Sequence, residues 1–153
     1  MIPKEFFTTS GRAISSVSKL NAFDIALEKA GIGQCNLVSV SSILPPNCKE
    51  VEWKEIPIGA ITYAVIAQME GEGEENIGAG ITWGWEKEGN YGLVAEAHGH
   101  LDQRGLRESL EEKLREMARV RGIEIAGINY RTEVLRVPPN HYGSVVVALV
   151  YGF

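Results

Sequence analysis

The pair Ser41-Ser42 stands where a strand-like run, residues 35–41 (CNLVSVS), meets the stop Ile43-Leu44-Pro45-Pro46. Polar and apolar residues alternate through the run, and two prolines without N–H groups must end it. A peptide bond caught between an incoming strand and a rigid stop can be held in one strained geometry. The second serine then offers a hydroxyl beside the carbonyl carbon of the first. Ser-Ser pairs are common, so the setting carries the reading more than the pair does. Further along, Glu96 interrupts the apolar run Leu93-Val94-Ala95-Glu96-Ala97. Burial there would raise its pKa and keep a proton on it near neutrality. A strand Glu facing outward, or one held in a salt bridge, fits the same pattern. His98 and His100 form an H-x-H pair on one face if the strand continues. Only the distant His141 offers a third imidazole, so the pair reads as strand-end histidines, and no metal is expected.

These residues need elements to position them. The first clear helix is expected over residues 21–30. Asn21 would be its N-cap, Asp24 its capping-box acid, Leu20 and Ile25 its staple, and Gly31 its stop. Strands are expected over residues 35–41, 56–69, 77–85, 91–98, 123–137 and 144–151. The acidic stretch GEGEEN, residues 71–76, reads as a solvated hairpin loop, and residues 87–90 as the next turn. A second helix spans residues 103–121, with Leu106, Leu110, Leu114 and Met117 as one apolar stripe. Asp102 can cap it and Gly122 can end it. Its cluster Arg107, Glu108, Glu111, Glu112, Lys113 and Arg115 reads as a solvated face. The continuous run VVVALVYG, residues 145–152, predicts a central strand buried on both faces. Trp83 and Trp85 share one side of their strand and read as packing residues. The order is strand, helix, several strands, long helix, two strands: an α+β domain with helices packed on sheets. It lacks the βαβ alternation and the phosphate-binding glycine motif of a nucleotide fold.

Bulk properties narrow the function classes. The chain has 153 residues, enough for one domain with a real core, and 44% of them are hydrophobic. A net charge of −5 without a Lys/Arg cluster argues against nucleic acid as a partner. Cys35 and Cys48 have no disulfide or zinc spacing and read as reduced thiols. The N-terminal residues lack the apolar core of a signal peptide, and no run is long enough to cross a bilayer. The expected location is the cytoplasm, with no membrane partner.

From about Leu20 to Phe153 the chain resembles the archaeal pyruvoyl-dependent arginine decarboxylases. The motifs that carry the resemblance are LNAFDIALEKAGIGQCNL (20–37), VSSILPP (40–46), IPIGA (56–60) and GLVAEAHG (92–99). Residues 1–19 match that pattern poorly. The resemblance implies a four-layer αββα sandwich of mixed and antiparallel sheets flanked by helices. It implies a single domain that cuts itself between Ser41 and Ser42 into a β chain (1–41) and an α chain (42–153). The Ser42 hydroxyl would attack the Ser41 carbonyl, and an N-to-O acyl shift would give an ester. β-Elimination would release Ser41 as a carboxylate. The dehydroalanine left at position 42 would lose ammonia to water and become a pyruvoyl group. That covalent group, rather than pyridoxal phosphate or a metal, would be the electron sink for decarboxylation of L-arginine to agmatine and carbon dioxide.

The same resemblance gives roles to three more residues. Glu96 matches the proton donor. Asn36 matches a residue implicated in self-processing, where its amide can serve the oxyanion at Ser41, although an Asn also suits a turn. Asp24 matches a residue near the substrate's tail, where a carboxylate can pair with a guanidinium. The implied assembly is a homo-oligomer, a trimer of cleaved units with active sites near subunit boundaries, and the partner is a small amino acid. Other readings keep the pyruvoyl chemistry on another amino acid or S-adenosylmethionine, make Ser42 the nucleophile of a hydrolase, or leave an uncut, non-catalytic homologue. A hydrolase of the G-x-S-x-G type is disfavoured because that elbow is missing. A denaturing gel separates these readings. The purified protein should run as fragments 1–41 and 42–153, and Ser42→Ala should run as one intact, inactive chain. A wild-type chain that stays whole would contradict the self-cleaving reading.

Overall fold

The computed structural model describes all 153 residues. In chain order the elements are β1 (Glu5–Ser15), α1 (Lys19–Lys29), β2 (Asn36–Ser39), β3 (Ile43–Leu44), β4 (Lys49–Glu50), β5 (Ile61–Glu72), β6 (Asn76–Glu86), β7 (Gly92–Gly99), α2 (Gln103–Arg121), β8 (Ile125–Arg136) and β9 (Tyr142–Gly152). One five-stranded sheet has the order β2-β5-β9-β1-β4, and one four-stranded sheet the order β3-β7-β6-β8. The sheets pack face to face, α1 covers the outer face of the first, and α2 covers the outer face of the second. The result is the expected α+β sandwich of four layers.

The strand patterns explain the layering. In β9, Val145, Val147, Leu149 and Tyr151 point into the core between the sheets, and Val146, Ala148 and Val150 point toward α1. A strand apolar on both faces has to lie in the middle of its sheet, and β9 does, between β5 and β1. In β6, Ile77, Ala79, Ile81 and Trp83 face the inter-sheet core. The small residues between them face α2, whose Leu106 and Leu110 pack against Ala97 of β7. At Gly80 a Cβ would stand 2.9 Å from the Leu110 side chain, so the helix is seated against bare backbone.

Three local expectations need correction. Helix α1 begins at Lys19 because Ser18 takes the N-cap and its hydroxyl accepts the Asn21 N–H. Asn21 lies inside the first turn, where its side chain accepts from the Ser15 hydroxyl at 2.7 Å. Asp24 therefore lies beyond the first turn and is no capping-box acid, and Leu20 is exposed rather than stapled. Residues 71–76 do not close a hairpin: β5 and β6 belong to different sheets, and the loop carries the chain from one to the other. Both strands have an apolar inner face, so stacking them buries more apolar surface than pairing edge to edge would. The strand expected from residue 56 begins at Ile61, because residues 56–60 form a turn with Gly59 at φ +79°. The turn at residues 87–90 does join a true hairpin, β6 to β7.

The first 19 residues contain β1, the strand expected ahead of the helix, whose bounds the alternation did not reveal. It pairs along its whole length with β9. Beyond Phe7, its face toward α1 is built from small residues: Thr9, Gly11, Ala13 and Ser15. Gly11 is the point of closest approach: a Cβ there would lie 2.3 Å from the carbonyl oxygen of Ala26 on α1. Gly11→Ala should therefore push α1 off the sheet and cost about 1–3 kcal/mol. Chemical denaturation would measure it, and a loss too small to resolve would contradict this packing.

Candidate active site

The chain crosses from one sheet to the other at Ser41-Ser42. Strand β2 runs parallel to β5 at the edge of the five-stranded sheet, and the ladder continues as far as Val40, whose N–H bonds the Ala64 carbonyl at 3.0 Å. Two residues on, the Ser42 carbonyl accepts the Val94 N–H at 2.9 Å, and β3 pairs with β7 at the edge of the four-stranded sheet. The peptide bond between the serines thus belongs to neither ladder. The Ser41 carbonyl and the Ser42 N–H make no backbone hydrogen bond. Ser41 is exposed and Ser42 half-buried.

Both serines line a cleft of about 540 Å³ between the sheet edges and α2. Val65 and Val94 contribute its apolar side, and Glu96, Lys113, Glu116 and Arg121 contribute charge. Glu96 lies on the face of β7 that carries Val94, the face turned toward the other sheet. Past Ser42 no strand covers the outer edge of β7. There Lys113 of α2 reaches across and donates to the Glu96 backbone carbonyl at 2.9 Å. Glu96 is exposed by area, yet partial desolvation pushes its carboxyl above the ordinary carboxylate range, against the pull of His98 and Lys113. A carboxyl so placed can hold a proton at higher pH than a free Glu.

The structure brings Ser41, Ser42 and Glu96 to one cleft and leaves Asn36 and Asp24 outside it. Asn36 opens β2, and its side-chain amide donates to the Gly59 carbonyl at 2.9 Å. Five residues of extended chain, about 16 Å, separate it from Ser41. Asp24 is exposed on α1, over the outer face of the other sheet. Within one chain neither reaches the Ser41–Ser42 bond. His98 is exposed two residues beyond Glu96. His100 lies past the end of β7, with Nδ1 3.0 Å from the Asn76 carbonyl and Nε2 3.4 Å from Glu75. No three His, Cys, Asp or Glu side chains converge to hold a metal ion.

Three cleft groups escaped the sequence reading. The sequence groups Lys113 with the solvated face of its helix, and for Glu108, Glu111 and Arg115 that reading is right: Glu108 pairs with Arg104 and Glu111 with Arg115 along the helix surface. Lys113 differs because it follows Leu110 by one turn and so borders the apolar stripe, one side chain's length from the uncovered edge of β7. Arg121 ends the same helix, and its guanidinium donates to the Met117 carbonyl. The Val94 N–H left no signal, since a backbone donor is invisible until its partner strand is known.

Lys113 and His98 both favour the charged form of Glu96, so removing one cation has a definite sign. Lys113→Met should raise the Glu96 pKa further, as read by NMR titration of its side-chain carboxyl. An unchanged or lowered value would show that the ammonium does not act on it.

The sequence profile of pyruvoyl-dependent arginine decarboxylase matches residues 5–153. The pyruvoyl-dependent arginine decarboxylase of Methanopyrus kandleri is 35% identical over 98% of this chain and 97% of its own. That of Methanothermobacter thermautotrophicus is 37% identical over 94% and 93%, and that of Thermococcus kodakarensis 31% identical over 99% and 97%. Among solved structures, a pyruvoyl-dependent histidine decarboxylase shares the fold, with a TM-score of 0.51 at 12% identity, over 64% of this chain and 53% of that one. On these matches, along nearly its whole length, the chain belongs to the pyruvoyl-dependent arginine decarboxylase family.

Proposed function

We propose that this chain cuts itself between Ser41 and Ser42 and that the matured protein decarboxylates L-arginine to agmatine and carbon dioxide. The observation that carries the reading is a peptide bond outside both ladders, held at a cleft that it shares with a carboxyl whose pKa partial desolvation raises. For the cut, Ser42 supplies the hydroxyl and Ser41 the carbonyl under attack. Because no backbone bond engages that carbonyl, it is free to pyramidalise. The Val94 N–H holds the Ser42 carbonyl and so fixes the far side of the reacting pair.

Position 42 fits a pyruvoyl group: it is half-buried at the cleft, and its carbonyl already has a backbone donor, which suits an amide drawn into electron delocalisation. When present, that group supplies the electron sink for loss of the carboxylate. The chain's own residues do the rest. Glu96 delivers a proton to the carbon that has lost carbon dioxide. Val65 and Val94 keep water from that side of the cleft. Residues 1–41 and 42–153 stay together as one domain after the cut, because β1 and β2 of the first fragment pair with β9 and β5 of the second.

Asp24 and Asn36 act from a neighbouring subunit. Both are exposed and both lie away from the cleft of their own chain. In this reading the working unit is a trimer of cleaved chains, and the Asp24 carboxylate pairs with the substrate guanidinium. Asn36 serves self-processing from the same direction. The free thiols Cys35 and Cys48 support a cytoplasmic setting, and no helix is long and apolar enough to cross a membrane.

Intact mass analysis tests the cut, and borohydride reduction in the presence of arginine tests substrate capture at residue 42. Glu96→Gln should still be cleaved but lose about 10²- to 10⁴-fold in kcat, the usual contribution of a positioned proton donor. Asp24→Asn should raise the KM for arginine about tenfold or more, as loss of a charged hydrogen bond does. Normal turnover by either variant would remove that residue from its assigned role.

A further inference from the structure

A second cleft, of about 350 Å³, opens on the other side of the Ser41–Ser42 bond. Val40, Ile43, Tyr63 and Phe153 make it apolar, and Tyr151 forms part of its wall. Tyr151 comes from β9 and is only 8% exposed. Its hydroxyl donates to the Ile43 carbonyl at 2.7 Å, the one side-chain hydrogen bond that reaches residues 41–44. Burial, reinforced by the nearby Cys48, pushes the phenol up to about 12, so it remains a donor throughout the neutral range.

The value of this bond depends on whether the chain is whole. In the uncut chain the serines are tethered on both sides, upstream by β2 on β5 and downstream by β3 on β7. A cut after Ser41 removes the upstream tether and turns position 42 into a chain end, and chain ends fray unless tied down. Leu44 is fully buried and anchors the strand two residues on, but Ile43 is 41% exposed and offers little grip. The direction in which position 42 points then rests on two backbone carbonyls: that of residue 42, held by the Val94 N–H, and that of Ile43, held by Tyr151.

We propose that Tyr151 is a positioning residue that holds position 42 in the cleft after the chain has been cut. The inference rests on the cut at Ser41–Ser42 argued above. It assigns Tyr151 a role in turnover and almost none in cleavage, because the uncut chain is already held at both ends. A residue that served packing alone would affect both steps together.

The test compares Tyr151→Phe with wild type and with Tyr63→Phe, a control in the same cleft whose ring packs edge-on against Phe153. Tyr151→Phe should cleave to the wild-type extent and turn arginine over about five- to tenfold more slowly, the scale of one net hydrogen bond. Amide exchange at Ile43 and Leu44 should rise in cleaved Tyr151→Phe and stay low when Ser42→Ala is added to keep the chain whole. Tyr63→Phe should match wild type in both steps. Wild-type turnover by Tyr151→Phe would overturn the inference. So would an equal slowing of cleavage and turnover, or a failure to fold, since either makes the hydroxyl a general requirement of the structure. A wild-type protein that neither cleaves nor turns over arginine would instead sink the underlying reading of the site.

Discussion

A strand that serves two sheets has to leave one ladder before it can enter the other, and the residues in between bond to neither. In this protein the crossing falls on Ser41-Ser42. Upstream, Val40 is still held by Ala64 at the edge of the five-stranded sheet; downstream, the Ser42 carbonyl is already held by Val94 at the edge of the four-stranded sheet. Ser41 is exposed and Ser42 only half-buried, so water can meet this unpaired peptide unit, and the ladders on either side set its position. The rest of the molecule is arranged to keep those two edges side by side.

That alignment comes from burial. The inter-sheet core sets Val65, Val147 and Leu149 of one sheet against Ile81, Trp83 and Val94 of the other, and it fixes the distance and angle between them. The helices act on the outside. Helix α1 sits so close to β1 that Gly11 has no room for a side chain. Helix α2 rests its leucines on the strands of the second sheet and brings Lys113 to the uncovered edge of β7. The cleft is what remains between two sheet edges and a helix flank. Its charge pattern follows from that origin: a partly desolvated carboxyl on a strand face, with a cation from the helix leaning over it.

Much of this was legible in the chain itself. The long helix, its Asp102 and Gly122 caps, the β6–β7 turn and the central place of β9 all follow from local pattern, because each rests on periodicity or on a residue with one favoured conformation. The bounds of strand β1 were not legible, since most of the face it presents to α1 is Thr, Gly, Ala and Ser, with Phe7 as its large apolar residue. The connection at residues 71–76 has the composition of a hairpin loop, and local sequence does not say whether two strands pair along their edges or stack by their faces. Asn21 and Ser18 are both good N-caps; the fold uses Ser18, while the Asn21 side chain accepts from the Ser15 hydroxyl at the end of β1.

The same division holds at the site. Residue types and motifs singled out Ser41, Ser42 and Glu96 as the groups able to do chemistry, because a hydroxyl beside a constrained bond and an acid in an apolar strand are local facts. That the three share one cleft depends on β3 pairing with β7, a contact between residues some fifty positions apart. Lys113, the Val94 N–H and Tyr151 matter only through neighbours that the fold supplies. The placement of Asp24 and Asn36 away from that cleft is likewise a tertiary fact, since α1 and β2 take their positions from the five-stranded sheet. Side-chain chemistry is written residue by residue, but distance between residues remote in the chain is decided by which apolar faces find each other.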